Sequence, residues 1–322
     1  MFERFGRRSG VLRQAIPAMA RETSYCGRFA PSPTGPLHFG SLVAAVGSYL
    51  DARSCGGIWL LRIEDVDRPR CQPGAADEIL HTLAAFGFDW DGPVTYQSQR
   101  EDVYRQAMQQ LSDHGQVFPC ACTRRELADS QWVQHASDGA QIYPGTCRSG
   151  LPPGKSARSW RLRLDDQVVA FDDAVQGYIE QNLAQEVGDF VLLRADGYFA
   201  YQLAVVVDDA AQGVTHVVRG ADLLDSTPRQ IVLQRLLGLP TPRYAHLPVV
   251  INAQGEKLSK QTLAAALDRA KPQQALWAAL DFLGQMPPGD MQQAGLSELW
   301  QWALAHWNLG RVPQRRSLVV AE

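Results

Sequence analysis

Long apolar runs are absent from this chain of 322 residues. A helix that crosses a bilayer needs roughly 20 mostly apolar residues, and no stretch of the sequence reaches that length. The arginine-bearing segment 1–18 also lacks the apolar core of a secretory signal. The sequence therefore predicts no membrane partner. Residues 1–24 are interpreted as a leader, either disordered or lying partly ahead of a true start at Met19.

A strong excess of one charge is missing as well. The formal net charge is −3, which argues against a protein coated in positive charge but leaves room for a local basic face that binds RNA. The six cysteines do not have the spacing of a disulfide framework, and three of them are grouped. This usage favours a reducing cytoplasm and a metal site. The apolar fraction of 45% is typical of a globular chain, here of about two domains.

Residues 27–45 have the pattern of a strand, a stiff loop and a helix. Residues 28–30 end a short strand, several prolines break the chain, and helical spacing begins near His38. This order presents a helix N-terminus, whose free N–H groups and dipole favour phosphate. The His38 imidazole can donate to a phosphate oxygen, and Gly40 lets a nucleotide approach the backbone. An ordinary proline-rich connection is the alternative interpretation, and the length of the run favours the phosphate site.

Acidic side chains follow the next predicted strand. Residues 58–63 form an apolar, β-rich run that predicts a second buried parallel strand, and Glu64, Asp65 and Asp67 come directly after it. Ligands of open α/β sheets bind outside the carboxyl ends of the strands. We therefore expect these acids to bind an ammonium group or a metal rather than only to cap a helix before Pro69.

Two lysines lie on a predicted loop late in the chain. Residues 246–251 are predicted to be the last strand, and a turn leads from it to Lys257 and Lys260. Ammonium groups on such a loop are suited to a triphosphate, because they offset the charge that builds on a leaving pyrophosphate. Beyond these lysines the chain is predicted to be helical, with helices over 263–270 and 273–283.

Three cysteines are grouped in a turn-rich segment that can hold zinc: Cys120, Cys122 and Cys147. A closed tetrahedral site needs a fourth ligand, and the candidates are Tyr143, His135 and His114. Chemistry alone favours His135, because a tyrosine phenol must lose its proton to bind zinc. Three buried free thiols are the alternative reading. From residue 160 to 190, short alternating runs suggest a small antiparallel region inserted between the halves of the main domain.

The sequence resembles a known enzyme family in several places. The run from Arg28 to Gly40 resembles the first signature of the class I glutamyl-type aminoacyl-tRNA synthetases, and residues 257–260 resemble the second. Ser41 and Gln261 depart from the family's signatures. The cysteine segment is similar to that of the short glutamyl-queuosine tRNA(Asp) synthetases. That similarity implies one structural zinc ion, held by Cys120, Cys122, Tyr143 and Cys147.

The resemblance implies an α/β fold: a Rossmann-like class I catalytic domain with an inserted zinc-binding subdomain, a C-terminal helical region and no anticodon-binding domain. On this basis residues 25–118 form the first half of the catalytic domain. Residues 119–188 form the inserted zinc-containing, acceptor-type subdomain, and 189–250 form the second half. Residues 251–322 carry the lysine loop and a helical region like a stem-contact domain.

The resemblance also implies a function. L-Glutamate is activated by ATP with Mg²⁺, without tRNA, and transferred to queuosine in tRNA(Asp), in the cytoplasm and with no role for DNA. The resemblance assigns catalysis to His38 and Lys260. It assigns ATP binding to His38, Gly40, Lys257 and Lys260. The glutamate site consists of Arg28, Phe29, Ala30, Pro31, Ser32, Glu64, Tyr201 and Arg219. A non-catalytic tRNA-binding adaptor and another nucleotidyltransferase of the same fold are the alternatives.

Overall fold

A computed structural model describes residues 25–128, 139, 141–257 and 265–320. The predicted leader, residues 1–24, therefore lies outside the described residues. Within the described ranges, no helix combines the length and apolar character that crossing a membrane requires.

Helices and strands alternate through most of the described chain. The helices are α1 (Phe39–Ser54), α2 (Ala75–Ala85), α3 (Glu101–Asp113), α4 (Arg124–Ala128), α5 (Leu183–Glu186), α6 (Tyr201–Ala211), α7 (Thr227–Leu237), α8 (Pro272–Phe282) and α9 (Leu296–His306). The strands are β1 (Cys26–Phe29), β2 (Ile58–Ile63), β3 (Thr95–Tyr96), β4 (Val117–Cys120), β5 (Ser159–Leu162), β6 (Val168–Asp173), β7 (Gly177–Asn182), β8 (Val191–Leu193), β9 (His216–Gly220), β10 (Arg243–Leu247), β11 (Val249–Ile251) and β12 (Ser317–Val319).

Parallel strands form the centre of the fold. Strands β1, β2 and β3 pair in parallel, and so do β9 and β10. The two sets meet where the Thr215 backbone N–H donates to the Cys26 carbonyl oxygen. Parallel strands joined by helical crossovers are buried on both faces, which explains the continuous apolar run of β2. The carboxyl ends of β1, β2, β9 and β10 open on one cavity.

The C-terminal helices pack on the parallel sheet through helix α1. Leu42, Val46 and Leu50 of α1 are almost completely buried, together with Trp59 of β2. Leu280 of α8 joins the same apolar cluster. Each fully buried leucine stabilises the fold by about 1.5–3 kcal/mol relative to exposure. Helix α1 is therefore held on both sides, and its N-terminus is fixed against the cavity.

Several predicted elements are confirmed. The predicted strand 58–63 is β2, and the helix predicted over 273–283 is α8. Helix α1 begins directly after His38, as predicted.

Two predictions for the C-terminal quarter are wrong. The strand predicted over 246–251 is divided at Pro248, which has no N–H to donate, and the later strand β12 pairs with β11. The predicted helix 263–270 is not helical over its described part, 265–270. Ala266 instead forms a β-bridge with His38. Pairing across the molecule here prevails over local helix propensity.

Sheet pairing crosses the predicted domain boundaries at residues 118 and 188. Strand β5 pairs with β4 on one side and β8 on the other, and the antiparallel hairpin β6–β7 joins β10 through Asp173 and Tyr244. The segment predicted as an insertion thus shares both its sheets with flanking residues. The domain boundaries stay predictions.

Candidate active site

A cavity of about 240 Å³ lies at the carboxyl ends of the central strands. The predicted site residues that line it are Arg28, Phe29, Ala30, His38, Gly40, Glu64, Tyr201, Arg219 and Lys257. A larger cavity of about 870 Å³ adjoins it, shares His38 and Glu64, and is lined in addition by Pro31 and Ser32. Lys260 lies outside the described residues. The first signature and Lys257, the first residue of the second signature, therefore lie at the same cavity.

His38 caps the helix that points into the cavity. Its Nδ1 atom accepts a hydrogen bond from the Ser41 backbone N–H at 3.3 Å. That bond places the proton of the neutral ring on Nε2, the tautomer that can donate to a phosphate oxygen. Gly40 lies in the first turn of α1, where the unpaired backbone N–H groups and the dipole favour an anion.

Lys257, in the segment that follows β11, lines the same cavity. Its Nζ atom lies 2.5 Å from a carboxylate oxygen of Asp222, which also lines the cavity. Further along the chain, the Leu267 backbone N–H donates to the Leu37 carbonyl oxygen beside the Ala266–His38 bridge. Residues that follow 258–264 therefore contact the first signature, and Lys257, which precedes them, lines the same cavity as His38.

Four charged side chains form a buried cluster at the floor of the cavity. Arg28 Nε lies 3.2 Å from Asp209, and Arg62 lies 2.8 Å from Asp209 and 3.2 Å from Glu64. Arg62 is completely buried, and the side chains of Glu64 and Asp209 are 7% and 8% exposed. Two guanidinium groups thus balance two carboxylates. Removing one member of such a cluster leaves a buried charge without its partner, which is strongly destabilising.

The pKa values of the two buried acids are shifted in opposite directions. Burial raises the pKa of Glu64, although Arg62 and Arg28 oppose the rise. For Asp209 burial acts in the same direction, but the two arginines outweigh it and the pKa is lowered. Asp209 is therefore ionised and paired with the two arginines. The ionised form of Glu64 would be stabilised by an additional positive charge. An ammonium group in the cavity would supply that charge.

Arg219 is held by hydrogen bonds on several sides. It donates from Nε to His246 Nε2 at 3.0 Å and from its terminal nitrogens to Thr227 Oγ1 at 2.8 Å and Tyr201 Oη at 3.3 Å. Arg219 is only 5% exposed, and burial raises the pKa of Tyr201, so the phenol stays protonated. A fixed guanidinium beside a phenol is suited to a carboxylate.

Sequence reasoning missed the residues that support the predicted ones. Arg62 and Asp209 complete the charged cluster, and His246 holds Arg219. A signal was present for two of them. Arg62 stands inside the apolar run of β2, and Asp209 stands inside helix α6 after a run of valines. A charge at a buried position needs a partner.

The three grouped cysteines form a second candidate site. The sulfur atoms of Cys120, Cys122 and Cys147 all lie within 4.8 Å of one another. The Tyr143 Oη atom lies 3.5 Å from the sulfur of Cys120 and 3.9 Å from that of Cys122. Zinc bound by sulfur and oxygen in a tetrahedron has ligand separations of about 3.5–3.8 Å. The four side chains therefore fit one metal ion.

The surroundings favour thiolate at Cys120 but not at Cys122, where burial and the hydrogen bond with Cys147 raise the pKa to about 11. Burial opposes ionisation of Cys120, but its hydrogen bonds with Tyr143 and Arg161 outweigh that effect and lower its pKa to about 7. The Arg161 guanidinium lies 3.9 Å from the centre of the Tyr143 ring. Of the other candidate ligands, His114 is exposed and bonded to the Gln110 carbonyl, and His135 lies outside the described residues.

The family comparison covers most of the chain. The model of the catalytic domain of class I tRNA synthetases (E and Q) matches residues 26–293. Among solved structures, a glutamate tRNA ligase from Elizabethkingia meningosepticum, in complex with its amino acid, is similar with a TM-score of 0.76 and 25% identity. The match covers 93% of this chain and 67% of that one.

Curated relatives are similar over nearly their full length. The glutamyl-Q tRNA(Asp) synthetase of Aromatoleum aromaticum is 65% identical over 291 residues, which is 90% of this chain and 91% of the relative. The protein of the same name from Dechloromonas aromatica is 61% identical, with 92% and 98% covered. The chain therefore belongs to the glutamyl-type class I tRNA synthetases and, within them, to the glutamyl-Q tRNA(Asp) synthetase family.

Proposed function

We propose that this chain activates L-glutamate with ATP in the absence of tRNA and transfers the glutamyl group to the queuosine at the wobble position of tRNA(Asp). One observation carries the activation step. Arg28 and Lys257 of the two signatures line a single cavity with Glu64 and Arg219, beside a helix N-terminus. The name shared by the curated relatives supports the transfer step.

Glutamate is proposed to bind against the charged cluster. Its ammonium group faces Glu64, whose pKa is raised by burial and which is best ionised next to a cation. Its carboxylates face Arg28 and Arg219, with Tyr201 beside them, and residues 29–32 line the rest of the subsite. An acid with one carboxylate would leave one guanidinium without its partner, which gives selectivity for glutamate over glutamine.

ATP is proposed to bind across His38, Gly40, Lys257 and Lys260, accompanied by Mg²⁺. A carboxylate oxygen of glutamate attacks the α-phosphorus in line, a new O–P bond forms, and the bond to the β-phosphate breaks. Pyrophosphate takes the bonding electrons and leaves toward Lys260. Catalysis rests on positioning and on charges that face the developing anion, so no protein nucleophile is needed.

The second step transfers the activated acyl group. A hydroxyl of the RNA attacks the mixed anhydride, an ester forms, and AMP leaves with the electrons of the broken bond. The cavity of about 870 Å³ that adjoins the first, and shares His38 and Glu64 with it, supports entry of the acceptor nucleoside at this point.

The cysteine cluster is proposed to hold one structural zinc ion, with Cys120, Cys122, Tyr143 and Cys147 as ligands. Zinc bound by four protein ligands stabilises the local fold and leaves no position open for water. The separations among the sulfur atoms and the Tyr143 oxygen support this ligand set over His114.

Loss of a zinc ligand is expected to release the metal and to destabilise the protein. Cys122→Ser should lower the melting temperature by about 4–8 °C, because a loss of about 2 kcal/mol shifts the transition by roughly 2–4 °C per kcal/mol. Tyr143→Phe keeps the ring but removes the oxygen, so it should weaken zinc binding. Metal content and thermal unfolding measure both effects. Cys55→Ser, at an exposed free cysteine, is the matched control; full zinc content in Cys122→Ser would exclude the ligand set.

The proposed activity predicts exchange of labelled pyrophosphate into ATP that depends on glutamate and not on tRNA. Glutamine and aspartate should support little exchange, since neither presents both carboxylates at the spacing of glutamate. Exchange with another acid alone would identify a different nucleotidyltransferase. Binding of tRNA without any exchange would identify an adaptor.

Transfer is tested with labelled glutamate and tRNA(Asp). Label is expected on tRNA that carries queuosine and not on the same tRNA that lacks it. Equal labelling of both RNAs would exclude queuosine as the acceptor while leaving the activation step intact.

A further inference from the structure

A buried histidine stands behind the predicted carboxylate-binding arginine. His246 of β10 and Asp173 at the end of β6 both have side chains that are 0% exposed. The His246 Nδ1 atom lies 2.5 Å from Asp173 Oδ2, and its Nε2 atom accepts the Nε–H of Arg219 at 3.0 Å. The three side chains thus form one chain of hydrogen bonds that ends at the cavity.

The direction of these bonds fixes the proton of the imidazole. A guanidinium only donates, so the Nε2 atom of His246 must present its lone pair to Arg219. The ring proton is then on Nδ1 and is donated to Asp173. Burial, together with Arg219, lowers the pKa of His246 to about 4 although Asp173 opposes the change, so the ring is neutral.

Asp173 is itself held in one orientation. Its Oδ1 atom accepts the backbone N–H groups of Val175, Gln176 and His246 at 3.0, 2.8 and 3.0 Å. Only Oδ2 therefore faces the imidazole. Asp173, at the end of β6, thereby determines which ring nitrogen of His246 carries the proton. The position of that proton in turn determines where the guanidinium of Arg219 lies.

We propose that His246 and Asp173 are positioning residues, which fix the Arg219 guanidinium so that its remaining N–H faces a carboxylate of bound glutamate. This inference rests on the proposed function. In this role, His246 accepts a hydrogen bond at Nε2, and Asp173 selects the tautomer that carries the ring proton on Nδ1. Neither residue contacts substrate. A role in packing alone would not depend on which of the ring nitrogens is the acceptor.

Two substitutions at His246 separate its two nitrogens. The side-chain oxygen of His246→Gln reaches the place of Nε2 and can accept from Arg219, whereas the amide of His246→Asn reaches only the place of Nδ1 and can donate to Asp173. His246→Asn is expected to raise the KM for glutamate by about tenfold to a hundredfold, the effect of losing a hydrogen bond to a charged group. His246→Gln should restore a KM close to that of the wild type, and the KM for ATP should change in neither.

A third substitution tests the tautomer. In Asp173→Asn the oxygen stays with the three backbone donors, so the NH₂ group faces Nδ1 and drives the ring proton to Nε2, where it opposes the Nε–H of Arg219. The KM for glutamate should again rise by about tenfold to a hundredfold. In the His246→Gln background no ring tautomer exists, so adding Asp173→Asn should have little further effect.

A matched control uses the other histidine of this sheet region. His216 begins β9, is half-buried, and stacks on Tyr25 with ring centres 3.9 Å apart. His216→Gln should leave the KM for glutamate unchanged. Equal KM values for glutamate in the Gln and Asn variants of His246, or full additivity of Asp173→Asn with His246→Gln, would overturn the proposal. Absence of glutamate-dependent exchange in the wild type would instead overturn the proposed function.

Discussion

Replacing Arg62 with methionine is expected to lower the free energy of unfolding by about 3–5 kcal/mol, the effect of breaking a buried ion pair by removing one partner. Arg62 is completely buried and bonded to Asp209, Glu64 and Gln212. Without it, the two carboxylates share only the guanidinium of Arg28. We also expect glutamate-dependent exchange to fall with the stability, because Glu64 loses the partner that orients it.

The loss of unfolding free energy in Arg62→Met should depend on pH. In the wild type the arginines lower the pKa of Asp209, so this acid stabilises the fold above its unfolded pKa and the contribution is lost as the pH falls. In Arg62→Met one buried carboxyl should instead have a raised pKa, so the folded state binds more protons than the unfolded state. Stability of the variant relative to the wild type then decreases as the pH rises. Urea unfolding at about pH 5.5 should show a smaller deficit than at about pH 7.5.

The double variant Arg62→Met, Asp209→Asn is the control for this interpretation. It removes one charge of each sign, so Arg28 and Glu64 remain as a balanced pair. We expect it to recover a large part of the lost stability, because well-packed neutral groups often replace a buried ion pair at little cost. A double variant no more stable than Arg62→Met would show that the loss comes from packing and not from unpaired charge.

The site was predictable where its residues are close in sequence to a turn or strand end. The strand, loop and helix around His38 and the acid after β2 follow from proline placement, apolar runs and the rule that ligands bind at the carboxyl ends of strands. The resemblance to the synthetase family then gave roles to Arg28, Tyr201 and Arg219, which the local pattern alone did not.

The rest depends on contacts between distant parts of the chain. Asp209 lies 181 residues from Arg28, and Asp173 lies 73 residues from His246. Local periodicity carries no information about such pairings. The same reason explains the errors near the C-terminus, where Ala266 pairs with His38 and β12 pairs with β11 instead of continuing as helix. Buried charges in apolar elements were the available signal, since each of them needs a partner.

Replacing Lys260 with methionine is expected to slow glutamyl-adenylate formation by about a hundredfold to a thousandfold, the effect of removing one group that stabilises a developing anion. The negative charge on pyrophosphate grows as its bond to the α-phosphate breaks, and an ammonium group facing it lowers the barrier more than it strengthens ATP binding. Glutamate affinity should be almost unchanged, because glutamate is proposed to contact Arg28, Glu64 and Arg219.

The chain offers a matched control for this substitution. Its lysines are Lys155, Lys257, Lys260 and Lys271. Lys271 is exposed, directly precedes α8 and lines neither described cavity, so Lys271→Met should leave the exchange rate unchanged. The exchange assay gives the rate, and calorimetry without ATP gives the glutamate affinity. Parallel losses of rate and glutamate affinity in Lys260→Met would mean that this lysine supports the fold of the site, and not the departure of pyrophosphate.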